Sequence, residues 1–162
     1  MRAFSKKVPK TEKVEQILLE KYNQYYRLAY SYVHNEADAA DIVQTGAYKA
    51  ILNSDSLRNI EYAETWIYRI MLNEIFRNVS NQKNVSLEAL EIEHGKEDQY
   101  ENFDLVKSID SLQEKDKAVI QLRFYEELKL EEIAEILDEN VNTIKSRLYR
   151  SIKKLRLELT DL

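Results

Sequence analysis

Across 162 residues, only Gly46, Gly95 and Pro9 belong to the two residue types that most readily break or sharply turn a backbone. Strand-rich folds need such residues at their hairpins. Helices are weakened by both, and most of all by proline. A chain this poor in breakers is expected to be all-helical. Cysteine is absent, which excludes disulfides, thiolate metal sites and cysteine nucleophiles. Residues 1–13 form a basic arm that lacks the apolar run of a signal peptide. No stretch of about 18 apolar residues follows, so no membrane insertion is expected. These features place the chain among soluble, cytoplasmic proteins.

The helical period divides the chain in two. Val14, Ile17, Leu18, Tyr22, Tyr25, Leu28, Ala29, Tyr32 and Val33 recur every three or four residues and predict one long amphipathic helix. Asn35 can cap the next helix, with Glu36 and Asp38 in its first turn. The buried stripe of this second helix is expected at Ala40, Val43, Ala47, Ala50 and Ile51. Residues 53–59 are polar and irregular, a loop. A third helix, 61–78, turns Trp66, Ile67, Ile70, Met71 and Ile75 inward.

From 79 to 101 the period fails. This stretch holds six acids, two lysines and Gly95, and reads as a flexible acidic linker with one helical turn near 87–90. Helices then return near 103–109, 114–125, 130–137 and 141–159. The expected domains are therefore 14–78 and 102–162, small helical bodies on either side of the linker. The second would have a core of Leu105, Ile109, Leu112, Val119, Leu122, Ile133, Leu137, Ile144 and Leu148. At about 60 residues such a core is of modest stability.

The strongest local pattern lies at the C-terminal end. Ile133, Ala134 and Leu137 line a short helix, and Asp138, Glu139 and Asn140 form a tight break. The final helix then buries Val141, Ile144, Leu148, Ile152 and Leu155. This is a helix-turn-helix, with Asp138 or Asn140 in the place where glycine is common, since both tolerate left-handed backbone. The net charge of −5 speaks against a generic nucleic-acid binder. Its distribution does not, because 141–156 carries six cations and no acid. Lys145, Arg147, Arg150, Lys153, Lys154 and Arg156 thus give an acidic protein one cationic helix suited to focused DNA contact. The plainer alternative, a solvated basic face on a packing helix, is weakened by the short preceding helix and its tight break.

These residues carry a family resemblance. The run Glu132-Ile133-Ala134-Glu135-Ile136-Leu137, followed by Thr143-Ile144-Lys145-Ser146-Arg147-Leu148-Tyr149-Arg150, resembles the fourth region of extracytoplasmic-function (ECF) sigma factors. The resemblance implies that the last helix reads the promoter's minus-thirty-five element. Lys145, Ser146, Tyr149 and Arg150 would lie at base edges beside Asn142, with Thr143 and Arg147 on the DNA backbone. Asp41-Ile42-Val43-Gln44 resembles the second-region segment that docks on RNA polymerase, and Trp66-Ile67-Tyr68-Arg69-Ile70 with Asn73 resembles its melting segment.

Several assignments follow from that likeness. By spacing alone Asp41 is an ordinary surface acid. The resemblance makes Asp41, Gln44 and Tyr48 the core polymerase-binding face, with Thr45 beside them. The family pattern continues with Glu after Gln44, whereas here Thr45 and Gly46 follow, and a helical glycine costs about 1 kcal/mol relative to alanine. Arg69, Asn73 and Arg77 would share a face toward minus-ten DNA. The loop before that helix would capture a flipped base, with Arg58 and Asn59 as its candidates. Trp66 is expected in the core rather than as a stacking platform. The implied partners are core RNA polymerase, promoter DNA and an anti-sigma factor.

No catalytic constellation stands out. There is no Walker loop, no zincin motif and no nucleophile elbow, and His34 and His94 occur in unrelated contexts. No enzyme activity, metal or cofactor is expected. Two rival functions remain at the level of sequence. One is a helix-turn-helix regulator that binds DNA without polymerase. The other is a helical scaffold that binds proteins alone.

Overall fold

The computed structural model describes residues 9–86 and 101–160, and among them every regular element is helical. The chain divides into two compact units, Met1–Asn78 and Val79–Leu162.

In the first unit, α1 (Lys10–Glu20) and α2 (Tyr22–Val33) stand where one long helix is predicted. The helix breaks at Lys21, whose φ of −110° and ψ of 13° leave the helical basin. The hydrogen-bond ladder survives the break, since Lys21 N–H donates to Ile17 O and Tyr25 N–H to Lys21 O. Apolar spacing could not reveal such a bend because the period runs straight through it. Lys21 is pinned by tertiary contacts instead. Its Nζ lies 3.0 Å from Glu64 Oε2 and 5.9 Å from the Tyr68 ring centroid. The helix also begins at Lys10, three residues before the expected end of the basic arm.

His34 closes α2 in the left-handed conformation, and α3 (Glu36–Leu52) starts at once. Asn35 caps it as expected, its Oδ1 accepting from Asp38 N–H at 2.9 Å. The buried face of α3 matches the predicted one only at Val43 and Ala50. Ala39, Ile42, Val43, Gly46 and Ala50 are buried, whereas Ala40 and Ala47 are intermediate and Ile51 is exposed. Small side chains all round this helix leave the apolar pattern ambiguous. The partner helix decides the matter, because Gly46 takes the side chain of Met71 directly against its backbone. Gly46 lies within a continuous helix with ordinary dihedrals. The missing Cβ is what allows the close approach.

After two short 3-10 turns, Ser54–Ser56 and Ile60–Tyr62, α4 runs from Ala63 to Ser86. It continues eight residues beyond the predicted end at 78, into the stretch read as linker. The remainder of that stretch, including the turn near 87–90 and His94, lies outside the described residues. Ile67, Met71 and Ile75 are fully buried as expected. Trp66 and Ile70 are only half-buried, so the core expectation for Trp66 is corrected. The large buried aromatic of α4 is Tyr68, whose ring meets Tyr25 edge-on at 5.1 Å. Tyr25 and Tyr68 are 0% and 2% exposed, and their paired rings fill this part of the core.

In the second unit, α5 (Glu101–Asp110), α6 (Glu114–Ile120), α7 (Leu130–Leu137) and α8 (Val141–Thr160) pack around one small core. Val119, Leu122, Ile133 and Ile144 are sealed at its centre, with Ile109, Leu112, Leu137 and Leu148 around them. Leu105 is half-buried at the edge. The predicted helix 114–125 is not α-helical throughout. Gln121–Tyr125 widens into one π turn, and Glu127 follows with φ of 56°. This wide turn leaves Phe124 and Tyr125 on the surface while Leu122 stays buried. Mixed apolar and polar spacing does not announce such a turn.

A candidate promoter-DNA and polymerase interface

The helix-turn-helix is built from local sequence. Glu132 Oε1 accepts from the Lys129 N–H at 3.1 Å, which covers an open donor where α7 starts. Asp138, the residue that caps the end of α7, adopts φ of 54° and ψ of 46°, the left-handed geometry that glycine would otherwise supply. Asn140 Oδ1 then accepts from Asn142 N–H at 2.7 Å and starts α8. Asp138 therefore makes the bend and Asn140 the cap, so the two candidates for the glycine position share the work.

On α8 the apolar stripe of Ile144 and Leu148 faces inward, and Val141, Ile152 and Leu155 are half-buried. Asn142, Thr143, Lys145, Ser146 and Tyr149 are exposed, with Tyr149 at 66%. An exposed Tyr beside Lys, Ser and Asn offers donors, acceptors and a stacking face along one helix.

Two of the three arginines of this helix, Arg147 and Arg150, behave differently from its lysines. Arg147, assigned by resemblance to the DNA backbone, is turned inward and its side chain is 18% exposed. Its Nε and Nη2 donate to Glu139 Oε1 and Oε2 at 2.8 and 2.9 Å. Its Nη1 donates to Asp116 Oδ1 at 2.9 Å. Every nitrogen of the fork is thereby bonded within the domain, and the assignment of Arg147 as an open phosphate contact is corrected. Glu139, hydrogen-bonded by Arg147, is held below the ordinary carboxylate range against the opposing effect of its burial. The same hydrogen bond raises the Arg147 guanidinium still further above its ordinary value. Arg150 remains exposed, but its Nη2 lies 3.1 and 3.2 Å from the two oxygens of Asp116. Asp116 and Glu139 are the residues that sequence reasoning missed. The only trace of them in the sequence is an acid in the turn, eight residues before an arginine.

In the first unit, Asp41, Gln44, Thr45 and Tyr48 lie along the outer face of α3, all exposed, with Tyr48 at 66%. Leu52, 65% exposed, extends the same stripe by one turn and was not foreseen. Lys49 points elsewhere, donating to Glu74 of α4. Glu74 also lies 3.3 Å from Arg77 Nη1, so Arg77 is exposed yet partly neutralised. Asn73 is exposed, while Arg69 is half-buried and engaged within the unit.

The loop that leads into α4 is more structured than its polar sequence suggests. Ser54 is buried, its Oγ 2.8 Å from Thr11 Oγ1, and Leu57 is 2% exposed. Arg58 projects outward. Asn59 Oδ1 accepts from Glu61 N–H at 3.0 Å, which makes it the cap of the second 3-10 turn. Among the described residues no helix is long and apolar enough to cross a membrane.

Comparison with known proteins matches each of the two units to a family model. Residues 18–85 match the family model "Sigma-70 region 2", and residues 103–155 match "Sigma-70, region 4". The RNA polymerase sigma factor SigV of Bacillus subtilis is 45% identical over 140 residues, covering 84% of each chain. The ECF RNA polymerase sigma factor SigW of the same organism is 30% identical, covering 86% of this chain and 85% of its own. Among solved structures, the sigma factor RpoE in complex with the anti-sigma factor NepR, from Bartonella quintana, superposes with a TM-score of 0.72 at 22% identity. That match covers 90% of this chain and 96% of the other. CnrH in complex with the cytosolic domain of CnrY gives a TM-score of 0.69 at 20% identity, covering 91% and 88%. The chain belongs to the sigma-70 family, within its ECF group of RNA polymerase sigma factors.

Proposed function

We propose that this sigma factor, which directs promoter-specific transcription by RNA polymerase, divides its work between two exposed helical faces. The outer stripe of α3, with Asp41, Gln44 and Tyr48, binds core polymerase. The outer face of α8, with Asn142, Thr143, Lys145, Ser146, Tyr149 and Arg150, reads the minus-thirty-five element. Arg69, Asn73 and Arg77 of α4 meet minus-ten DNA, and Arg58 and Asn59 border the site of the flipped base. The observation that carries this reading is the α8 face, where these six polar or aromatic side chains stand exposed on a helix seated by a complete helix-turn-helix. A recognition helix needs its N-terminal side chains at base edges and its flanking cations near phosphates.

Sigma factors are initiation factors rather than catalysts, and we assign this chain no enzymatic reaction. Its place of action would be the cytoplasm, where polymerase works. The complex of RpoE with the anti-sigma factor NepR supports a regulatory partner of that kind for this chain.

Two assays test the reading. With purified core polymerase, the chain should direct transcription from its promoter and give none from a promoter with a scrambled upstream element. Alone at physiological salt it should shift promoter DNA only weakly, since its net charge is −5. Nanomolar specific binding without polymerase would favour a free-standing regulator. A chain whose activity ignored neutralisation of the α8 face would favour a protein-binding scaffold.

A further inference from the structure

The geometry points to Asp116 of α6 as a positioning residue that sets which base pair the recognition helix reads through Arg150; this rests on the assignment of α8 to the upstream element. Asp116 is 6% exposed, on a helix that contributes no residue to the proposed DNA face. A carboxylate that poorly hydrated needs compensating cations. It draws both from α8, three residues apart. Oδ1 accepts from Arg147 Nη1 at 2.9 Å and from Arg150 Nη2 at 3.1 Å, and Oδ2 lies 3.2 Å from the same Nη2.

The two arginines receive different treatment. Arg147 is saturated by Asp116 and Glu139 together, so it ties α8 to α6 and to the 138–140 turn. Because Glu139 sits in the turn and also lies 3.7 Å from Lys115 Nζ, the network fixes the rotation of α8 about its own axis. Arg150 has only Nη2 held, and its side chain remains 62% exposed. Holding one donor of a rigid planar fork fixes the plane in which the remaining donors point. An arginine restrained in this way loses less side-chain entropy when it meets a base edge. Asp116 also cancels part of the charge of Arg150, which weakens sequence-independent attraction to phosphate relative to base reading. Asp116 therefore favours discrimination over raw affinity.

The test uses holoenzyme assembled from core polymerase and the full chain, with promoter duplexes randomised across the upstream element. Wild type and Arg150→Ala first define the base pair whose preference depends on Arg150. Asp116→Asn, which keeps the shape and removes the charge, is expected to lower preference at that base pair about five- to tenfold. Preference elsewhere should persist, and the salt dependence of binding should steepen. In an Arg150→Ala background Asp116→Asn should add no further loss at that position, which a purely structural role would not produce. If Asp116→Asn does not fold, as judged by circular dichroism, Asp116→Glu carries the same test. That variant keeps the charge and displaces the carboxylate by one methylene. Wild-type preference in the variant, or an equal loss at every base pair, would overturn the proposal. A wild-type holoenzyme with no upstream preference would instead overturn the assignment of α8, and the role of Asp116 with it.

Discussion

Gly46 of α3 lies directly beneath the thioether of Met71 in α4, so closely that a Cβ built on Gly46 would stand 2.5 Å from the Met71 sulfur. Met71 is 0% exposed and cannot swing into solvent to make room. Gly46→Ala gains about 1 kcal/mol of helix propensity. Overpacking of a close-fitting core costs about 1–3 kcal/mol, so the net effect should be destabilising by up to about 2 kcal/mol. In a Met71→Ala background the obstruction is gone, and Gly46→Ala should then stabilise by about 1 kcal/mol. Denaturant melts of the four proteins measure the coupling, and additive effects would contradict the contact.

Asp41 and Gln44 are exposed on α3 and contribute nothing to the core. Asp41→Arg and Gln44→Ala should therefore weaken polymerase binding while leaving the helical circular dichroism spectrum unchanged and the stability within about 0.5 kcal/mol of wild type. Leu52→Ala, on the same stripe, should act in the same direction. Pull-down of core polymerase by each variant distinguishes this face from an inert surface.

Lys145 is exposed on α8 and has no partner among the described residues. Lys145→Ala should cost about 1–3 kcal/mol at the upstream element and relax base preference there. Arg147→Ala should act on stability, because it leaves Glu139 and Asp116 short of a cation. A buried hydrogen bond to a charged group contributes about 1.5–3 kcal/mol. Thermal unfolding and promoter-binding titrations, run in parallel, separate the two effects. Loss of promoter binding by Arg147→Ala at unchanged stability would return Arg147 to the DNA backbone.

Glu139 gives the second unit an acid-sensitive link. Its carboxyl is held below the ordinary range in the folded protein, chiefly by the hydrogen bond from Arg147. A depressed folded pKa means that the stabilisation is complete above the unfolded value and is lost as pH falls through the folded one. Arg147 stays charged throughout, so the change belongs to Glu139. The stability gap between wild type and Glu139→Gln should be about 1–3 kcal/mol near neutral pH. It should stay level down to about pH 5 and shrink below about pH 4. Unfolding curves across that window check the sign, and a gap that widened in acid would refute it.

Helix content, the helix-turn-helix at 130–155 and the exposed stripe beginning at Asp41 were all legible from residue order. Each depends on interactions within about one or two helical turns: the scarcity of breakers, the spacing of apolar residues, and an Asp or Asn able to take left-handed backbone. The Asn35 cap belongs to the same class. Side chains that reach across the fold were not legible in this way. Residue order alone could not place Met71 on Gly46, so the buried face of α3 was read correctly only at Val43 and Ala50.

Local pattern and tertiary packing thus settled different things in this protein. Residue order alone makes the chain helical and locates its last helix, because periodicity and capping are properties of neighbouring residues. Only the tertiary structure decided which cations of that helix face outward. Lys145 and Arg147 are two residues apart and alike in charge. Yet one is exposed to solvent while the other is bound by Asp116, 31 residues earlier, and by Glu139 in the turn. A buried carboxylate needs a cation wherever the fold brings one within reach, and that distance is set by how α6 packs on α8.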